Sequence, residues 1–241
     1  MGYHYGRYEP PPAAPALPRS LRDALVPLPG AADHPALKVP PPPAAAAREA
    51  ELVISHAAQE ARTASGVEWA LHMDARGATS MWWGAAQRAR RTQGLLGDLR
   101  IRAGLVGAQV ASLVATHVPG QTKVDLARPF QLDPTMELLG HRPGTSSYPS
   151  GHARQAYASA RVVARLDPSQ AELAYQLADE VAASRVYAGA HLPSDVIAGA
   201  NLGTAVGDAV LGAARVAKVV VPIAAIGAGI TYLAVRDASA A

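Results

Sequence analysis

Between positions 147 and 195 the chain concentrates side chains suited to holding and attacking a tetrahedral oxyanion without a metal ion: His152, His191, Arg185, Asp195 and the turn Ser150-Gly151. Pro149-Ser150-Gly151-His152 reads as a helix start with Ser150 as its N-cap, since a serine hydroxyl accepts from an orphan amide of the first turn. Those amides, with the partial positive charge at a helix start, hold an anion. Gly151 lets the backbone approach it closely, and His152 stands in the first turn over the bound group. Downstream, Leu173, Leu177, Val181 and Ser184 recur at helical spacing and place Arg185 near a helix end. A guanidinium there forks onto a carboxylate or phosphate. His191 follows six residues later, beyond Gly189, and Pro193 suits the opening turn of another helix. Asp195, four residues after His191, is spaced to accept from one imidazole nitrogen and leave the other free to attack.

Such groups need a scaffold, and the composition favours helices. Apolar residues make up 49% of the chain and aromatics 5%, so the apolar content is mainly alanine, valine and leucine, of which alanine and leucine keep most of their rotamer freedom in a helix. Apolar periodicity predicts helices over 47–63, stopped by Gly66, then over 68–75, 151–165 and 168–187. The stretch 87–102 carries Arg88, Arg90, Arg91, Arg100 and Arg102 and reads as a solvated helix face. It lacks the aromatic interleaving of a nucleic-acid surface. Residues 99–118 read as a buried helix ended by Pro119-Gly120, and Trp82-Trp83 as anchors of a core or a subunit contact. No alternating strand pattern and no repeat is visible. The expected fold is all-α: a single-domain helical bundle over 46–215, an extended Pro-rich arm over 1–45, and an apolar C-terminal helix or tail over 216–241.

A chain of 241 residues is long enough for a sizeable core, and a formal charge of +3 admits anionic substrates without implying nucleic acid. The absence of cysteine removes disulfides, thiol catalysis and thiolate metal sites. No secretory h-region is seen near residue 1, which reads as cytoplasmic unless a leader has been removed or lies outside the sequence. Membrane contact is open only through the apolar run 219–235, about 17 residues and at the short edge of a span. A packed terminal helix is the preferred reading of it over a tail anchor.

At 148–152 and 184–195 the chain resembles the superfamily of class A bacterial acid phosphatases, type 2 phosphatidic acid phosphatases and vanadium haloperoxidases. Its signature has three parts: a lysine seven residues before Arg-Pro, then Pro-Ser-Gly-His, then Ser-Arg with a histidine six and an aspartate ten residues after the arginine. The second part is complete at 149–152 and the third at Ser184-Arg185, His191 and Asp195, while Arg128-Pro129 closes the first. Seven residues before Arg128 stands Gln121, and the nearest lysine is Lys123, five before it. Two turns of helix put residues seven apart on one face, whereas five separates them. Either Lys123 reaches the anion through irregular backbone or Gln121 serves as a neutral donor.

The resemblance implies an all-helical enzyme that holds phosphate with neither metal nor organic cofactor. His191 is then the nucleophile that becomes phosphohistidine, Asp195 orients it, and His152 protonates the leaving group. Lys123, Arg128, Ser150, Gly151 and Arg185 bind the phosphate oxygens. Closest in character are the soluble bacterial acid phosphatases, so a phosphomonoesterase acting on a small phosphorylated substrate is expected. A membrane-associated lipid or isoprenoid phosphate phosphatase is the alternative. Vanadate would occupy the same pocket as a phosphate mimic, which leaves a haloperoxidase as a further reading. The paired tryptophans and the arm make a homodimer plausible.

Overall fold

A computed structural model describes residues 10–115 and 124–214; Lys123, Gln121 and the 219–235 run lie outside the described residues. Among the described residues there is no strand. The helices are α1 (Arg19–Ala24), α2 (Ala45–Glu60), α3 (Ala64–Arg76), α4 (Trp83–Ala115), α5 (Pro129–Leu132), α6 (Gly151–Leu166), α7 (Ala171–Tyr187) and α8 (Pro193–Ala214). Single 3-10 turns over Ser80–Trp82 and Pro168–Gln170 lead into α4 and α7.

The bundle is built on α6. Its buried residues, from Ala153 to Ala164, surround almost the whole helix, and α4, α7 and α8 close around it. A stripe of glycines on α8 permits the last contact. A Cβ on Gly199 or Gly203 would collide with the carbonyl oxygens of Ser150 and Arg154, and one on Gly207 would meet Arg161 Cβ at 2.6 Å. Farther along this contact the buried Arg161 forks onto Asp208 of α8, with Nε and one terminal nitrogen donating at 2.7 and 2.8 Å. Trp69, Met73, Trp82, Val181 and Tyr187 extend the core across α3 and α7. Trp82 is a core anchor, its indole N–H donating to the Gly77 carbonyl at 2.9 Å.

Residues 10–44 lie against this bundle and carry α1. Leu21 is fully buried in the core, and the Tyr148 hydroxyl donates to the Pro40 carbonyl at 2.9 Å.

Three local readings of the sequence are corrected. Gly66 does not stop a helix but lies inside α3, its amide donating to the Thr63 cap at 3.1 Å, while α2 ends at Glu60. The stretches 87–102 and 99–118 form one run, Trp83–Ala115, broken only where Gly94 takes φ 72°. The second half of that run is not buried all round. Ile101, Leu105, Ala108 and Ser112 face the bundle, whereas Leu95, Leu96, Leu99, Val106, Val110, Leu113 and Val114 are each more than 50% exposed. One seam at i, i+4, i+7 spacing is enough to dock the helix, so an apolar residue off that seam faces outward. For the same reason Leu173 of α7 is exposed, and alanines with Val181 and Val186 fill its seam instead.

Candidate active site

The nucleophile candidate is delivered by a helix ending. α7 stops at Tyr187 because Gly189 adopts φ 72°, which a residue with a Cβ resists. The Gly189 amide donates to the Val186 carbonyl at 2.9 Å and the Ala190 amide to the Arg185 carbonyl at 3.0 Å. This paired closure turns the chain back over the helix end, so His191 comes to lie beside Arg185. Pro193 then opens α8, and Asp195 sits in its first turn.

His191 is 3% exposed, and its two nitrogens have different surroundings. Nδ1 lies 2.8 Å from the Ser147 carbonyl, which can only accept, so Nδ1 carries the proton. Nε2 therefore presents its lone pair, 3.1 Å from a terminal nitrogen of Arg128. Burial first, and then the guanidinium groups of Arg128 and Arg185, push the ring below its ordinary range against the pull of Asp195. The ring is thus neutral and nucleophilic at Nε2. Asp195 Oδ2 stands 3.7 Å from Nδ1, so the acceptor place that the sequence reading gave to Asp195 is taken by the Ser147 carbonyl, and the carboxylate acts on the ring through its charge.

That carboxylate is fully buried, a state that demands partners. The Ser147 hydroxyl and the Leu192 amide donate to Oδ2 at 2.5 and 2.9 Å. Arg48 of α2 donates to Oδ1 at 2.6 Å and to the Ala127 carbonyl at 3.1 Å. Sequence reasoning missed Arg48. It lies 147 positions from Asp195 on an alanine-rich helix, and nothing in its neighbourhood distinguishes it from a solvated arginine.

Opposite His191, Ser150 caps α6 by accepting from the Ala153 amide at 3.4 Å, and His152 occupies the first turn. His152 Nε2 donates to the Asp74 carbonyl at 3.1 Å, which leaves Nδ1 to exchange a proton with a bound molecule. Burial, and then the charge of Arg185, lower this ring to about 4. Asp74, from the end of α3, is the second group the sequence did not reveal. Its carboxylate takes one terminal nitrogen of Arg185 at 2.9 Å and lies 3.8 Å from His152 Nε2. Asp74 therefore flanks the space between Arg185 and His152.

Arg185 is 2% exposed, and its Nε and second terminal nitrogen have no hydrogen-bond partner among the described residues. Orphaned donors on a buried cation are costly, and an oxyanion in the adjoining cavity satisfies them. That cavity, about 760 Å³, is lined by Arg128, Gly151, His152, Arg185 and His191 together. Five of the eight site residues read from the sequence thus share one pocket. Asp195 lies behind His191 and Ser150 beneath the helix start, both at 0% exposure; Lys123 falls outside the described residues. Arg128 is fixed by donating to the carbonyls of Thr145, Ser146 and Ala190 at 3.1, 3.0 and 2.8 Å.

Residues 102–216 match the family model of the PAP2 superfamily. Among solved structures, the chain is similar to one titled as the first transmembrane PAP2 type phosphatidylglycerolphosphate phosphatase from Bacillus subtilis. The identity is 23%, over 71% of this chain and 88% of that one, with a TM-score of 0.47. No curated protein matches the chain. The family match spans Arg128-Pro129 and both complete parts of the signature, whose histidines and arginines meet at one cavity, and it is residues 102–216 that carry the likeness to the PAP2 superfamily.

Proposed function

We propose that this chain hydrolyses phosphate esters of apolar alcohols while docked on a membrane surface, through a phosphohistidine on His191. His191 Nε2 attacks phosphorus in line; the bond to the ester oxygen breaks, and His152 supplies its proton from Nδ1. Water, deprotonated by the same nitrogen, then cleaves the N–P bond and releases phosphate. Arg128, the two unpartnered donors of Arg185 and the Gly151 amide hold the equatorial oxygens, whose charge must be balanced in the transition state. Lys123 is assigned the remaining cation of the signature. The Ser150 hydroxyl, engaged with the Ala153 amide, keeps the helix start open to the anion.

The observation that selects an apolar substrate over a small soluble one is the outward face of α4. Leu99, Val106, Val110, Leu113 and Val114 are all more than half exposed, and Leu113 also lines the catalytic cavity. An apolar patch that runs into a pocket mouth marks a surface where a hydrophobic tail or bilayer meets the protein. Burying the exposed halves of these side chains and of Leu95 and Leu96 is worth on the order of 5 kcal/mol, at roughly 1.5–3 kcal/mol per full side chain. α8 is also long and apolar enough to cross a membrane, with mean hydropathy 1.4, but its glycine stripe packs on α6 and it serves as a core helix.

The test is Val106→Glu/Val110→Glu, assayed on a long-chain lipid phosphate in phosphatidylcholine–phosphatidylglycerol vesicles and on its short-chain soluble homologue. Turnover of the vesicle substrate is expected to fall at least tenfold, with the soluble one within about twofold, the direction set by the buried area lost. Equal turnover of both substrates before and after substitution returns the enzyme to a soluble phosphomonoesterase.

A further inference from the structure

α4 carries five arginines that the mechanism does not use. Against Arg88, Arg90, Arg91, Arg100 and Arg102 it holds one acidic residue, Asp98, a balance of +4 where the whole chain carries +3. The net positive charge of the protein is therefore gathered on the helix that also presents the exposed apolar face. Asp98 cancels little of it outward: the residue is 3% exposed and is held by Arg102 Nε at 2.8 Å, with a terminal nitrogen of Arg90 at 3.8 Å. Arg102 also lies over the Trp83 ring, 5.5 Å from its centroid, and Arg88 donates to Gln170 at 2.7 Å, so these two are tied to the bundle. Arg91 and Arg100 are exposed, and no carboxylate among the described residues pairs with either. With about 3.6 residues per turn, Leu95, Leu99, Val106, Val110 and Val114 form one stripe, bordered by Arg102 on one side and Arg100 on the other. Arg91 stands in the last turn before the break at Gly94, just ahead of that stripe.

We infer that α4 selects an anionic leaflet: Arg91 and Arg100 meet lipid headgroups of net negative charge, while the stripe beside them enters the acyl boundary. An apolar stripe edged by cations is the pattern of a helix lying in a membrane interface, its guanidinium groups held at headgroup level. A nucleic acid would satisfy the arginines but leave the stripe in water. The inference rests on the membrane-docked reading proposed above and names the chemistry of the surface. Leu113 of the same helix lines the catalytic cavity. Docking on that leaflet therefore brings the cavity mouth to the headgroup layer, where an apolar alcohol presents its phosphate.

The test is flotation of the full chain on two kinds of vesicle, phosphatidylcholine alone and phosphatidylcholine with about one-third phosphatidylglycerol, which supplies the anionic surface charge. An arginine near such a surface contributes about fivefold to partitioning. The wild type is therefore expected to bind the anionic vesicles at least tenfold more tightly, and salt at about three times physiological strength to cancel most of that preference. Arg91→Gln/Arg100→Gln should lose at least tenfold on the anionic vesicles and stay within about threefold on phosphatidylcholine alone. Val106→Glu/Val110→Glu should lose both. Equal wild-type binding to the two vesicles overturns the inference even if no variant folds, and leaves membrane docking standing. A preference that survives the salt or Arg91→Gln/Arg100→Gln also overturns it, as does a duplex RNA bound more tightly than the anionic vesicles. Wild-type binding to neither vesicle overturns the docked reading, and the inference with it.

Discussion

Replacing Arg48 by methionine tests the claim that this residue, absent from the family signature, holds the carboxylate behind the proposed nucleophile. The substitution keeps the aliphatic stem but removes the donor at 2.6 Å from Asp195 Oδ1, in a pair whose side chains are 5% and 0% exposed. Oδ2 keeps the Ser147 hydroxyl and the Leu192 amide, and Oδ1 is left a buried charge with no donor. Breaking one side of such a pair costs about 3–5 kcal/mol, which lowers the melting temperature of a chain this size by roughly 10 °C. Calorimetry on Arg48→Met, Asp195→Asn and the double variant reads this directly. The double variant neutralises the stranded charge, so its loss should fall short of the sum of the singles by about 2 kcal/mol or more. Its kcat should stay as low as that of Asp195→Asn, because the charge beside Nδ1 is gone in both. A melting temperature for Arg48→Met within about 2 °C of wild type, or strict additivity, refutes the reasoning.

Further outcomes follow from the same geometry. The proposed mechanism requires His191 neutral and His152 protonated, and both rings lie below the ordinary imidazole range, His152 at about 4. kcat/KM should therefore peak on the acid side and fall as pH rises, whereas kcat, with phosphate bound beside His152, holds to higher pH. Asp74→Asn removes a charge that raises His152 and should shift the alkaline limb of kcat/KM to lower pH; an upward shift in pH–rate profiles contradicts the assignment. Stability runs the other way. Below about 6.5 the unfolded chain takes up protons that the folded one refuses, so melting temperature should drop between pH 7 and pH 5. Separately, Gly189→Ala forces a Cβ into left-handed backbone and to 2.7 Å from the Glu137 carbonyl. It should cost about 2 kcal/mol or more by denaturant titration, with a larger fall in kcat than in affinity because His191 is displaced.

How much of this was legible depended on how local the cause is. The helix start at Ser150 and the end of α7 at Tyr187 are each set within one turn, and the structure has them at the positions read, whereas the four-residue step from His191 to Asp195 brings the two close without the hydrogen bond expected of it. Distance hides the rest. Arg48 and Asp74 reach the site from α2 and α3, and only the packing of those helices on α7 makes them neighbours of Asp195 and Arg185. Ser147 opens the stretch singled out in the sequence but was given no role there, yet its carbonyl fixes the tautomer of His191 and its hydroxyl holds Asp195. The break at Gly94 and the outward apolar face of α4 escaped for another reason. Periodicity shows that a helix is apolar without showing which side finds a partner.

The central claim is that Nε2 of His191 attacks phosphorus and carries it. A rapid acid-free quench of the enzyme with substrate labelled in its phosphate, followed by digestion and mass mapping, tests that claim most directly. The account predicts an acid-labile, alkali-stable phosphate on the peptide containing His191, absent from His191→Ala and accumulating in His152→Ala supplied with an aryl phosphate whose leaving group needs no proton. Label on any other residue, or turnover in His191→Ala at the wild-type rate, contradicts it.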